Sequence, residues 1–189
     1  METIDLLMGV ITNPTNTFDK ISERQPIHSA LLVNVLLLML SFFSTKAASP
    51  ELYQGVIDNI FSFLMSIIMG LIIFVLSVLI LFGLSRLLKG SANFWQLFCV
   101  LSFANIITIF TPIQAALSNY LGSFHPLSIL IGIFLGIWGI YLYLLAIKQA
   151  NQFSWGKTIL LILLSILVIF VITFLIFLLL IFGLGLTAI

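Results

Sequence analysis

Charge is what this sequence has least of. Only 7% of its 189 residues are Asp, Glu, Lys or Arg, against ~25% in an ordinary soluble domain. The acids are Glu2, Asp5, Asp19, Glu23, Glu51 and Asp58, and from residue 59 to residue 189 no carboxylate side chain occurs. That gap removes the usual proton relays and cation ligands of membrane interiors. It also leaves Ser/His/Asp catalysis without an acid. A single cysteine, Cys99, excludes an internal disulfide and any Cys-rich metal site. No Gly-x-x-x-x-Gly-Lys loop is present to cradle phosphate. Polar low-complexity tracts are missing too, so disorder is excluded.

What is present is apolar. Hydrophobic residues make up 62% of the chain and aromatics 13%, with a mean hydropathy of +1.31. Such a chain lacks the polar surface to cover a soluble domain and belongs in a bilayer. A hydrocarbon core ~30 Å thick needs ~20 apolar residues of helix. Five runs fit, at roughly 27–44, 59–85, 94–118, 127–147 and 158–183. They are continuous rather than alternating in period two, which argues against a barrel. The expected fold is all-α: a polytopic five-transmembrane-helix bundle over residues 27–189, preceded by an N-terminal cytoplasmic or interfacial segment over 1–26. The first run lies behind a charged stretch and shows no cleavage pattern, so no cleavable signal peptide is expected.

Orientation follows from the cations. With the N-terminus inside, the inner segments hold Lys20, Arg24, Arg86, Lys89, Lys148 and Lys157, and the outer ones only Lys46. That is a positive-inside pattern, with segments 86–93 and 148–157 inside and 45–58, 119–126 and the C-terminus outside. Ahead of the first span, Ile4, Leu7, Met8 and Ile11 recur at helical spacing and predict a short helix lying in the interface. Asn13-Pro14 should end it, with Thr15 or Asn16 capping a second helix through Glu23.

Several segments resemble a known family. The opening Met8-Gly-Val-Ile-Thr-Asn-Pro14-Thr-Asn-Thr-Phe18-Asp-Lys-Ile21-Ser-Glu23 is similar to the start of bacterial Yip-family (Yip-one domain) proteins. Gly90-Ser-Ala-Asn-Phe94-Trp95 resembles the family's loop before its third helix. Gly136-Ile-Trp138-Gly139 and the joint Lys148-Gln-Ala-Asn-Gln-Phe-Ser154-Trp155-Gly156-Lys157 continue the likeness, which covers nearly the whole chain. The resemblance implies five spans and a cytoplasmic N-terminus, in a bacterial plasma membrane. Eukaryotic members are linked to vesicle traffic and Rab-type GTPases. Their Asp-Leu-Tyr-Gly-Pro signature is absent here, so GTPase binding is not carried over.

Three groups of residues are candidates for function. Asn34 and, along the third span, Asn105, Thr108, Thr111 and Gln114 form a polar track with Ser102, interrupted by Pro112. Such a track reads either as a substrate path around a broken helix or as interhelical hydrogen bonding. Ser62, Ser66 and Gly70, and likewise Ser128, Gly132 and Gly136, recur every four residues and should let helices approach closely. Arg86, Lys89, Trp95, Lys148, Trp155 and Lys157 gather at the inner membrane level as a lipid or partner face. The expected partners are the bilayer, anionic lipids in particular, and a membrane or cytoplasmic protein; no nucleic acid is expected. His28 and His125 fall on opposite sides and form no catalytic or metal pair. No metal, cofactor or catalytic residue is expected. The chain therefore reads as a non-enzymatic membrane-organising, interaction or trafficking-type module, with a small transporter or channel built on the third helix as the alternative.

Overall fold

The structure, a computed structural model, describes residues 3–48, 56–122 and 125–186. Its α-helices are α1 (Thr3–Thr12), α2 (Pro14–Arg24), α3 (Ile27–Ala48), α4 (Val56–Leu87), α5 (Phe94–Ala104), α6 (Thr111–Leu121), α7 (Pro126–Asn151) and α8 (Trp155–Leu186). A 3-10 stretch, Asn105–Phe110, links α5 to α6. Among the described residues there is no strand. Five helical segments are long and apolar enough to cross a membrane: Ile27–Lys46, Ile60–Leu87, Phe94–Leu121, Pro126–Asn151 and Trp155–Leu179. The protein is a multi-pass, all-helical membrane protein. Much of the expected outer segment 45–58 (49–55), the pair 123–124 and the end of the chain (187–189) lie outside the described residues.

The helices overrun the apolar runs that announce them. Helix α7 continues through Lys148 and Gln149 to Asn151, and α8 begins at Trp155. The expected joint over 148–157 therefore shrinks to 152–154, and both lysines sit on helices. Their straight-chain side chains and that of Gln149 cost the helix little, so polarity alone does not end it. What ends it is Gln152 in the left-handed region (φ 54), with Phe153 N donating to Lys148 O at 3.0 Å. Helix α4 ends the same way: Lys89 takes φ 60, and Gly90 N donates to Ser85 O at 2.7 Å.

The third span is broken. Pro112 has no N–H, and its ring clashes with the carbonyl four residues earlier, that of Thr108. The β-branched run Ile106-Ile107-Thr108-Ile109 favours helix weakly. The backbone tightens to 3-10 there, and the Thr111 hydroxyl donates to Thr108 O at 2.7 Å. Below the break α5 is the centre of the molecule. Every residue from Leu97 to Ala104 is buried, packed among α2, α3, α4 and α7.

The N-terminal helices dock on that centre, with one difference from expectation, at the start of α2. Helix α1 buries Leu6 and Val10 against the bundle, and Ile4, Met8 and Ile11 of the expected interfacial stripe point outward, at 67%, 57% and 37% exposure, with Leu7 half-buried. Helix α2 starts at Pro14, not after a Thr15 or Asn16 cap. Asn13 is the capping position without a side-chain cap bond, and proline at the first helical position supplies a ready-made φ. Phe18 and Ile21 of α2 are completely buried.

Candidate functional sites: a basic end and an intramembrane polar cluster

The order of the spans brings the start of α3, the end of α4, the start of α5, the end of α7 and the start of α8 to one end of the bundle. Helices α1 and α2 cover that end. The capping box of α5 ties them on: Asn93 Oδ1 accepts from Gln96 N at 2.8 Å, and Gln96 Oε1 accepts from Asn93 N at 2.7 Å. Gln96 Nε2 then reaches Ser22 O at 3.2 Å. All six of the cations expected on the inner side lie at this end.

The basic side chains there rest on rings. Arg86 lies over Phe82 at 5.1 Å, Lys148 over Trp155 at 5.6 Å, and Lys157 over Phe153 at 5.7 Å. Trp155 stacks on Tyr141. Trp95 packs edge-on against Phe94 and Phe98 but keeps 47% of its surface exposed. Lys89 is exposed at the joint after α4. Cations seated on aromatic faces stay extended near the bundle instead of roaming in solvent. A half-exposed indole belongs at headgroup depth.

The polar residues of the membrane interior do not form one line. Asn34 on α3 is buried and donates from Nδ2 to Ser102 Oγ at 3.3 Å; Ser102 in turn donates to Phe98 O at 2.8 Å. Thr111 is satisfied by its own helix through Thr108 O. Gln114 sits against Gly132 of α7. Asn105 stands apart, lining two apolar cavities. One, about 430 Å³, lies among the 3-10 stretch, α7 and α8 and includes Ile107, Gly139 and Ile162. The other, about 360 Å³, lies among α3, α4 and α5 and includes Leu38, Gly70 and Phe74. Tyr143 of α7 also lines both. Neither side chain has a hydrogen-bond partner among the described residues. In the sequence, Tyr141-Leu-Tyr143 within an apolar run reads as packing; only the fold sets Tyr143 on the same cavities as Asn105.

The two small-residue faces meet different neighbours rather than each other. Gly70 faces Leu38 of α3, and Gly132 faces Gln114 of α6. Gly136 faces open space. Ser66 is exposed, while Ser128 is buried with an unpartnered hydroxyl. Among the described residues no cluster of three or more His, Cys, Asp or Glu side chains is placed to hold a metal ion.

A family model described as the Yip1 domain matches residues 8–186. No curated protein and no solved structure matches the chain.

Proposed function

We propose, from the premise that this chain belongs to the Yip1 domain family, that it is a non-enzymatic module whose basic end engages a membrane surface or a membrane-associated protein. The single observation that carries this reading is the set of Arg86, Lys148 and Lys157, each seated on an aromatic ring at one end of the bundle. In this reading that end is cytoplasmic, the N-terminus lies on the same side, and the membrane is a bacterial plasma membrane. Each basic residue near an anionic leaflet contributes ~1 kcal/mol of attraction. The outward stripe Ile4, Met8 and Ile11 on α1 adds an apolar surface at the same level.

The test replaces Arg86, Lys89, Lys148 and Lys157 together by Gln. Anchoring to anionic lipid alone means that lipid retention falls while the co-purifying proteins stay the same. Docking of a protein means that a particular partner is lost while topology stays intact. Unchanged lipids and unchanged partners would sink the reading.

One observation favours a second reading, that of a small transporter. Two apolar cavities meet at the unpartnered pair Asn105 and Tyr143, beside the break in the third span. Discontinuous membrane helices often frame substrate sites. Solute uptake by the reconstituted protein, lost on Asn105→Ala, would favour this reading over the first.

A further inference from the structure

A polar notch lies between α2 and α7 at the basic end. It encloses about 340 Å³ and is lined by Asp19, Ser22 and Glu23 on one side and Lys148, Gln149 and Gln152 on the other, with the buried ring of Phe153 as its apolar wall. Asp19 and Glu23 are one turn apart, so their charges repel along α2. Neither is paired with a cation among the described residues. Gln149 stands between the opposite charges: its Nε2 donates to Asp19 Oδ2 at 3.4 Å, and its Oε1 accepts from Lys148 Nζ at 3.4 Å. Ser22 is 8% exposed as a residue, and its accessible hydroxyl has no hydrogen-bond partner among the described residues, although its carbonyl accepts from Gln96. Here an accessible hydroxyl, two carboxylates without a cation partner among the described residues and an ammonium surround one cavity.

We propose that this notch binds the headgroup of an aminophospholipid, its primary ammonium on Asp19 and Glu23 and its phosphate on Lys148. The charge pattern selects a zwitterion. A purely anionic headgroup would meet two carboxylates, and a simple cation would meet Lys148. The carboxylates and the Ser22 hydroxyl can accept further hydrogen bonds, which a primary ammonium donates and a quaternary one cannot. The place selects a lipid over a soluble zwitterion. Lys148 lies over the Trp155 indole, Trp155 stacks on Tyr141, and exposed Ile159 follows one turn along α8. Such aromatics mark headgroup depth. The inference rests on the reading of the basic end as a surface at headgroup level. It adds a selective site to what is otherwise a general attraction for anionic lipid.

The experiment equilibrates the full chain in detergent with equimolar phosphatidylethanolamine, phosphatidylcholine and phosphatidylglycerol of matched acyl chains, and counts retained lipids by native mass spectrometry. The wild type should enrich phosphatidylethanolamine over phosphatidylcholine by about tenfold, the factor expected for charge-assisted hydrogen bonds present with one headgroup only. Asp19→Asn with Glu23→Gln should abolish that ratio, and Asp19→Asn alone should lower it. Lys20→Gln with Arg24→Gln, outside the notch on the same helix, should leave it intact. Equal retention of the two lipids by the wild type, or an unchanged ratio in the Asp19/Glu23 variant, overturns the proposal. So does a ratio that falls as far in the Lys20/Arg24 variant, or displacement of the lipid by soluble phosphoethanolamine at equal concentration. Phosphatidylglycerol retention reports separately on the basic surface: if it persists while the ratio is flat, the notch fails and the surface stands.

Discussion

Gly90 shows why a residue can matter through what it lacks. It takes no left-handed conformation; that strain falls on Lys89 before it. Instead, a Cβ added at Gly90 would run into Asn151 Oδ1, would lie 2.9 Å from the ring of Phe153 and would lie 3.0 Å from Ser85 O. Gly90→Ala is therefore expected to destabilise the protein by ~1–3 kcal/mol, the usual cost of overpacking. Gly136→Ala should not destabilise it, because that Cβ would meet open space within α7 and alanine favours helix. Thermal melts of the two variants in one detergent check the contrast. The four-residue spacing of Ser128, Gly132 and Gly136 was legible in the sequence, but not which member had a neighbour. Asn34 offers a second residue-scale test. Its bond to Ser102 crosses from α3 to α5 inside the membrane, where such bonds contribute about 1 kcal/mol. Asn34→Ala should lower unfolding stability by about that amount, and a variant that unfolds like the parent would show the bond to be idle.

Elements were legible where one strong signal governs them. Asparagine is a favoured helix-capping residue, and Asn93 forms the full capping box with Gln96 at the start of α5. Proline at 112 announces trouble in the third span, and the 3-10 stretch lies just before it. Elements were less legible where two signals compete. The second face of α1 is an instance: Ile4, Met8 and Ile11 mark the outward stripe, but only the docking surface on α5 and α2 shows that Leu6 and Val10 are buried. The tight α7–α8 joint is another, since nothing about Gln152 marks it for a left-handed turn. Non-glycine residues in that conformation cost ~1–2 kcal/mol. Lys89→Gly, at the equivalent place after α4, is expected to stabilise the protein by about 1 kcal/mol, read as a rise in melting temperature. Phe18→Ala tests whether α2 belongs to the core. A completely buried phenylalanine lost from a packed site costs ~3–5 kcal/mol. Proteolysis that cuts freely at α2 in this variant, while the parent resists, would match that expectation.

At the scale of the molecule, five spans and their order were written in hydropathy and charge alone, because the bilayer imposes a length and a polarity that no soluble core imposes. The sites were less legible because they need partners from separate spans. Asn105 and Tyr143 line the same cavities, and Asp19 bonds Gln149, across more than 30 residues of intervening chain. The central claim is that the basic, ring-braced end of the bundle faces the cytoplasm. It is tested most directly by cysteine labelling in intact cells in a Cys99→Ala background. Gln152→Cys, at the basic end, and Gly122→Cys, at the opposite end, are both exposed positions. A membrane-impermeant maleimide should label Gly122→Cys at once and Gln152→Cys only after permeabilisation; labelling of Gln152→Cys in intact cells, with Gly122→Cys protected, would contradict the account.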